Sequence, residues 1–261
     1  MKELPPSVKL GTAHGETDIT AVPPLRDDIA ELVREHGSLY DWAATQPQAR
    51  ALQGRAPVYV ATLPTSGIQV VVRHAWHGGL LAPITGDRFR WPSRAPAEML
   101  NSIALRNSGI PSTEVLGFVR YAAGPGMVRV DVFTRYEAGT HDLGMILAGL
   151  AGEVQCEPAI AATRTLLLNM AAHRTVHPDL NVKNILLRVD QGGKPEAMVI
   201  DVDVIRWRSD LSEAAVMERN VARLTRSIRK WRRNFGCDFS DVRLSEFADA
   251  TMKDLRATKP A

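Results

Sequence analysis

Apolar positions along the chain recur with two different periods, and the change between them divides the sequence. Two β-rich runs, Val58–Leu63 and Ile68–Arg73, flank the turn Pro64-Thr65-Ser66-Gly67 and predict a β-hairpin. Pro96–Asn107 has helical spacing, and Met127–Thr134 predicts another strand. From Asp142 onward the apolar positions mostly follow the helical period. We therefore expect a β-rich first part and a helix-rich second part.

This order of elements predicts an α+β fold with two lobes and a cleft between them. We expect a β-rich N-lobe at residues 50–135 and a mainly helical C-lobe at residues 136–261. Residues 1–49 should form an N-terminal extension with short helices, since Leu25–His36 and Leu39–Leu52 have helical patterns. Residues 1 to about 23 are rich in Pro, Gly, Thr and charge, which predicts a loosely ordered leader.

One segment has a residue pattern typical of a catalytic loop. His177–Asn184 is followed by the apolar runs Ile185–Leu187 and Met198–Ile200, which predict a second β-hairpin around a Gly/Pro-marked loop. That hairpin would bring Asp201 back beside Asn184. Phosphoryl transfer needs one carboxylate to orient the acceptor hydroxyl, and an amide and a second carboxylate to hold Mg²⁺. Asp179 and Asn184 keep the five-residue interval of the kinase H-R-D-x-x-x-x-N loop.

The composition indicates the cellular compartment of the protein. With 261 residues and 45% apolar content, the chain can bury a substantial core. Cys156 and Cys237 form neither a metal-ligand pair nor a disulfide framework, and no apolar run has the length of a signal peptide or membrane span. We therefore expect a cytoplasmic protein.

The net charge of +3 conceals a basic stretch at residues 219–233, which holds seven Arg or Lys residues and no acidic one. Val221, Leu224, Ile228 and Trp231, continued by Phe235, recur at helical steps, so the stretch predicts an amphipathic helix with one basic face. Such a helix could lie on an anionic membrane surface or face a phosphorylated substrate. The alternative is a packed helix whose basic side is only solvated.

Several separated motifs, in order along residues 50–235, resemble the lipopolysaccharide kinase family, most closely the Kdo kinases and their protein-kinase-like fold. The strand end Val71-Val72-Arg73-His74 precedes a Gly-Gly turn, as in that family. The other matches are Asp87-Arg88-Phe89-Arg90-Trp91, Gly109-Ile110-Pro111, the catalytic segment His177–Leu187 and the closing helix Asn220–Ile228.

The resemblance implies roles for these residues. Asp179 would accept the proton of the acceptor hydroxyl or orient that hydroxyl, and Asn184 and Asp201 would bind Mg²⁺. Taken alone, Asp179 could be a solvated loop residue, Asn184 a turn residue and Asp201 a strand-end cap. His177 is expected to be structural, with its imidazole packed under the turn and bonded to backbone.

On the nucleotide side, Arg73 takes the place of the strand Lys that touches the α- and β-phosphates in protein kinases, with Glu98 as its ionic partner. Both could also be surface residues without a role. Lys183 could reach the γ-phosphate, and Gly54 lies where a phosphate-covering loop would be, although no G-x-G-x-x-G is present. The segment Phe133–Gly139 falls at the expected interlobe connection, where backbone would hold adenine.

The chain departs at three positions from the motifs that it resembles. Val202 replaces the usual Phe of the metal motif, His77 replaces an Arg before Gly-Gly, and Pro178 replaces the Arg of H-R-D. With no A-P-E signature after Asp201, we expect a site that needs no activation-loop phosphorylation.

The resemblance implies an ATP- and Mg²⁺-dependent kinase for a sugar hydroxyl of the lipopolysaccharide inner core, most directly Kdo. Its substrate would be a glycolipid of the Kdo-lipid A type, met peripherally at the anionic cytoplasmic face of the inner membrane. The alternatives are a kinase for another small molecule or a protein, and a nucleotide-binding pseudokinase. A further alternative, nucleic-acid binding through residues 219–233, is disfavoured because the chain has no recognised binding module and no aromatic stacking pattern.

Overall fold

The computed structural model describes residues 3–12, 15–46, 50–52, 57–76, 86–151, 154–189, 194–237 and 239–257. The chain divides into two compact units. Unit 1 comprises residues 1–103 and 114–136, and unit 2 comprises residues 104–113 and 137–261. The boundary after Tyr136 lies within Phe133–Gly139, the segment at which the interlobe connection was expected.

In the described residues, unit 1 is built on an antiparallel sheet of eight strands. Seven form a continuous path in the order β1-β2-β7-β8-β5-β4-β3, and β6 pairs with β8. The strands are β1 (Ser7–Thr12), β2 (Gly15–Ala21), β3 (Arg50–Leu52), β4 (Val58–Thr62), β5 (Gln69–His74), β6 (Phe89–Arg90), β7 (Val115–Ala122) and β8 (Met127–Arg135). The predicted hairpin is confirmed, since β4 pairs with β5 in the register Val60 to Val71.

Helices pack on this sheet through apolar stripes. A 3-10 turn (Pro23–Leu25) leads into α1 (Arg26–His36), which is followed by α2 (Leu39–Thr45) and α3 (Ala95–Asn107). Leu25, Ile29 and Val33 recur at four-residue steps and are almost fully buried, because they face one side of the first helix. They share a core with Leu116 and Phe133 of the sheet.

The expectation of a loosely ordered leader at residues 1 to about 23 is wrong. β2 pairs with β1 on one side and with β7 on the other, and Ile19 and Ala21 are completely buried. Alternate residues of a strand face the same side, so one buried residue in two is enough to fix the strand in the sheet. The single isoleucine in the polar sequence of β2 gives too weak a periodic signal.

The second predicted short helix also ends earlier than expected. Helix α2 stops at Thr45, and Gln46 has the extended backbone angles φ −69° and ψ 136°. The next residue in the sequence is Pro47, whose ring disfavours helical backbone at the residue before it. Arg50–Leu52, expected at the end of this helix, forms β3.

Unit 2 is mainly helical. Its helices are α4 (Leu143–Leu147), α5 (Cys156–Ala172), α6 (Glu213–Phe235) and α7 (Asp241–Ala257). Its strands are β9 (Thr140–Asp142), β10 (Thr175–Val176), β11 (Ile185–Val189), β12 (Pro195–Val199) and β13 (Arg206–Trp207), with 3-10 turns at Val182–Asn184 and Val202–Val204. The core lies between the three long helices and the short strands. None of the described helices is long and apolar enough to cross a membrane.

The division into a β-rich unit and a mainly helical unit confirms the α+β, two-lobed fold class. The basic stretch is helical as predicted, within α6, and Val221, Leu224 and Ile228 are buried. Phe235, expected to continue this stripe, is instead 51% exposed and stacks on Trp231.

Candidate functional site

The buried imidazole of His177 supports the loop that follows it. Its Nε2 lies 3.1 Å from the carbonyl oxygen of Ile200, and its Nδ1 lies 3.2 Å from the backbone nitrogen of Asp179. A carbonyl only accepts and a backbone N–H only donates, so the ring carries its proton on Nε2 and is neutral. Burial lowers the pKa of His177, which favours this form. The predicted structural role of His177 is confirmed.

The backbone of Asp179 is fixed from the other side of the loop. The side-chain amides of Asn181 and Asn184 both donate to its carbonyl oxygen at 3.0 Å. Two donors on one carbonyl hold the peptide in a single orientation. The Asp179 carboxyl group remains half exposed, so it faces a position that a substrate can reach.

The hairpin brings Asp201 next to Asn184, as predicted. β11 and β12 pair in the register Ile185 to Val199, and the backbone N–H of Ile200 donates to the carbonyl oxygen of Asn184 at 3.0 Å. Asp201 has left-handed backbone angles, with φ 59° and ψ 50°. A non-glycine residue in this region is uncommon and costs free energy, and such residues cluster at functional sites.

The oxygens of these residues suit a hard cation. Asn184 uses its amide nitrogen on Asp179, and within the described part of the chain neither its Oδ1 nor the Asp201 carboxylate accepts a hydrogen bond. The described residues contain no cluster of three His, Cys, Asp or Glu side chains that could hold a metal. Mg²⁺ does not need such a cage, because it is usually bound by one or two carboxylates together with waters and substrate phosphates. The donor set therefore fits Mg²⁺.

Helix α6 contributes three residues to this loop whose roles were not predicted from the sequence. Asn220 is fully buried, accepts from the backbone N–H of His177 at 3.1 Å and donates to the Thr175 carbonyl at 2.9 Å. Arg223 donates to the Asp179 carboxylate, and Ser227 Oγ accepts from the backbone N–H of Val182 at 3.1 Å. The available signal was polar residues at steps of three and four on a helix face bordered by buried apolar residues.

Unit 1 carries the predicted Arg73–Glu98 ion pair. Arg73 lies on β5 and donates to the Glu98 carboxylate on α3. The Glu98 side chain is 6% exposed and the Arg73 side chain 33% exposed, so the carboxylate is buried while the guanidinium reaches solvent. The pairing is confirmed, while contact with phosphates stays a prediction.

Two of the sequence markers meet in a partly buried hydrogen-bond network in unit 1. His74 Nδ1 lies 2.6 Å from Asp131 Oδ1, and its Nε2 lies 3.0 Å from Asp87 Oδ2. Asp131 also accepts from the Tyr121 hydroxyl and from the backbone N–H of Tyr40. Burial alone would lower the pKa of His74, but the hydrogen bonds and charges of Asp131 and Asp87 outweigh it and raise that pKa. The network ties the first turn of α2 to the sheet.

The remaining predicted site residues differ in what the structure shows. Lys183 is exposed, and its ammonium lies 5.3 Å from the centroid of the Trp231 ring. Trp231 in turn donates from its indole nitrogen to the Gly144 carbonyl at 2.8 Å. Gly54 and His77 lie outside the described residues.

Comparison with known proteins identifies this arrangement. The model of the lipopolysaccharide kinase (Kdo/WaaP) family matches residues 41–256. The chain belongs to this family. It is accordingly a phosphotransferase of the lipopolysaccharide kinase type, and the resemblance carried by the sequence motifs is confirmed.

The chain is also similar to individual proteins. It is 28% identical over 196 residues to a 3-deoxy-D-manno-octulosonic acid kinase of Actinobacillus succinogenes, covering 72% of this chain and 78% of that protein. It aligns with the solved structure of WaaP in complex with acyl carrier protein at a TM-score of 0.46 and 14% identity, covering 91% of this chain and 98% of that one.

Proposed function

We propose that this lipopolysaccharide kinase transfers the γ-phosphoryl group of ATP to a hydroxyl of Kdo in the inner core. The supporting observation is the loop in which hydrogen bonds to backbone carbonyls bring Asp179, Asn184 and Asp201 together, while within the described residues Asn184 Oδ1 and the Asp201 carboxylate accept no hydrogen bond. Phosphoryl transfer depends mainly on positioning and electrostatic stabilisation, and a rigid loop of this kind supplies positioning.

In this proposal Asp179 orients the acceptor hydroxyl and takes up its proton. Asn184 Oδ1 and the Asp201 carboxylate would hold Mg²⁺, which neutralises charge on the phosphates when bound. The neutral His177 transfers no proton, because both ring nitrogens already serve backbone groups. Its role is to hold the backbone at Asp179 and at Ile200, next to Asp201, in fixed positions relative to each other.

On the nucleotide side, Arg73 would contact the α- and β-phosphates and Glu98 would hold its guanidinium in place. Lys183 lies in the catalytic loop, and its ammonium contacts the Trp231 ring. To reach the γ-phosphate, the ammonium would have to leave that ring. The backbone of Phe133–Gly139 would hold the adenine.

The acceptor proposed here is a glycolipid of the Kdo-lipid A type, and the charges of α6 support an anionic substrate. Arg219, Arg226 and Lys230 are exposed and lie seven and four residues apart, so they share one side of the helix. Arg223, in the same row, reaches the catalytic loop. The same row would favour peripheral binding at the anionic cytoplasmic face of the inner membrane.

The test is transfer of label from ATP to defined acceptors. We expect the purified protein to label a Kdo-bearing lipid A precursor, as the similarity to a Kdo kinase suggests. A precursor carrying heptose as well serves as the competing acceptor. Asp179→Asn should slow transfer roughly 10²- to 10⁴-fold, the usual contribution of a positioned acid or base. Asp210→Asn, at an exposed aspartate paired with Arg208, is the matched control.

Three results would contradict the proposal in different ways. Label found on heptose alone would show that heptose, and not Kdo, is the acceptor. Binding of ATP without transfer to any acceptor would indicate a pseudokinase. Transfer by Asp179→Asn at the wild-type rate would remove Asp179 from the chemistry.

A further inference from the structure

A guanidinium group reaches the catalytic loop from a different element than in the kinase pattern. Pro178 occupies the position of the Arg in H-R-D, so the loop itself carries no arginine next to Asp179. Arg223 of α6 supplies one. Its Nε donates to the Pro178 carbonyl at 3.0 Å, and its Nη2 donates to Asp179 Oδ1.

These two contacts join the carboxylate to the backbone of its own loop. A guanidinium is planar, and its Nε–H and Nη–H groups point in fixed directions. With one donor on the Pro178 carbonyl and another on Oδ1, the Asp179 side chain is limited to one orientation. Within the described residues Asp179 Oδ2 accepts no hydrogen bond, so this oxygen is available to an incoming hydroxyl.

The helix that carries Arg223 is fixed where it meets the loop. Asn220, one turn earlier, bonds Thr175 and His177 and is fully buried, and the adjacent Leu224 is also fully buried. Ser227, one turn later, holds Val182. Arg223 therefore extends from a helix backbone that is fixed relative to the loop.

We propose that Arg223 is a positioning residue for phosphoryl transfer. It holds Asp179 so that Oδ2 faces the acceptor hydroxyl, and it does not itself touch the phosphoryl group. This inference rests on the proposed function, in which Asp179 orients the acceptor.

An ordinary surface ion pair would have a different signature. Exposed Arg–carboxylate pairs typically contribute about 0–1 kcal/mol to stability and nothing to catalysis. Arg164 and Asp254 form a partly exposed pair between α5 and α7, with side-chain exposures of 28% and 37%. The Arg223 and Asp179 side chains are 33% and 51% exposed, so Arg164→Gln is a matched control for Arg223→Gln.

The experiment measures kcat and KM for ATP and for the acceptor, together with thermal unfolding. We expect Arg223→Gln to lower kcat roughly 10- to 100-fold, the range produced by a small misplacement of a catalytic group. KM for ATP should stay within about twofold and the melting temperature should match that of the control. Arg223→Lys should restore only part of kcat, because an ammonium makes one compact contact in place of the fork. Guanidinium ion at millimolar concentration should raise the kcat of Arg223→Ala.

Other outcomes overturn the inference. An Arg223→Gln variant with wild-type kcat, or with a raised KM for the acceptor and unchanged kcat, would show that Arg223 does not position Asp179. If the wild-type protein labels no acceptor, the proposed function fails. The role of Arg223 is then decided by the rate of ATP hydrolysis without acceptor, because water takes the place of the acceptor hydroxyl. Absence of both wild-type activities would overturn both proposals.

Discussion

At the scale of single residues, the loop depends on buried polar groups whose partners lie far away in the sequence. Asn220 is the clearest case, because its two hydrogen bonds hold Thr175 and His177, more than 40 residues earlier. Removing its amide would leave a buried N–H and a buried carbonyl without partners. Each such group costs about 1–3 kcal/mol.

We therefore predict that Asn220→Ala lowers the free energy of unfolding by about 2–4 kcal/mol, measured by urea denaturation. Asn234→Ala, at an exposed position of the same helix, controls for the higher helix propensity of alanine and should change stability little. A loss no larger than that of the control would mean that water replaces the Asn220 contacts.

The buried His177 and the partly buried His74 should have pKa values shifted in opposite directions from the ordinary value of about 6.5. The pKa of His74 is raised, so the native state binds its proton more tightly than the unfolded state does. Its stabilising effect is complete below about pH 6.5 and is lost as pH rises through the raised pKa. The pKa of His177 is lowered mainly by burial, so the unfolded state takes up the proton first and stability falls as pH drops below about 6.5.

NMR titration of the imidazole resonances checks this prediction. His74 should titrate above and His177 below the free value. His74→Gln should remove the loss of stability as pH rises and leave the loss of stability as pH falls. Two midpoints on the same side of that value would contradict the assigned contacts.

At the scale of elements, the same physical reasons decide which predictions from sequence succeeded. β4 and β5 were predictable because their apolar runs flank a Pro/Gly turn, and α6 because its buried residues recur at helical steps. The β11–β12 hairpin gave the position of Asp201 correctly. The contact of Arg223 with Asp179 was not predicted, because polar residues at steps of three and four on a helix face do not indicate which distant segment they meet.

The N-terminal hairpin shows what a local pattern misses. β2 is held by β7, and their close approach depends on Gly117. A Cβ at this position would lie 2.5 Å from the Phe133 ring and would also meet the Thr20 carbonyl oxygen. Backbone and a buried ring have little freedom to move away.

We predict that Gly117→Ala destabilises the protein by about 1–3 kcal/mol or more through overpacking, and that amide exchange accelerates in β2. Gly11→Ala is the control, because a Cβ there meets nothing within 4 Å. Equal stability of the two variants would show that β2 can separate from β7 without cost.

At the scale of the whole molecule, a modest net charge of +3 hides an arrangement of paired and unpaired cations on α6. Arg229 and Arg232 both pair with Asp241 at the start of α7. Arg226 and Lys230 are exposed, and within the described part of the chain they form no ion pair. The packed-helix interpretation and the functional one are therefore compatible, because one side of the helix is buried while a row of cations faces solvent.

We predict that the double variant Arg226→Gln with Lys230→Gln weakens binding to vesicles containing phosphatidylglycerol by roughly 30-fold, since each basic residue near an anionic surface contributes about 1 kcal/mol. Arg229→Gln with Arg232→Gln removes the same formal charge. It should weaken binding much less, because Asp241 already offsets those cations. Sedimentation with vesicles at low and high salt measures both, and the difference should shrink as salt screens the surface. Equal losses in the two variants would mean that net charge alone, and not the exposed row on α6, determines attraction to the anionic surface.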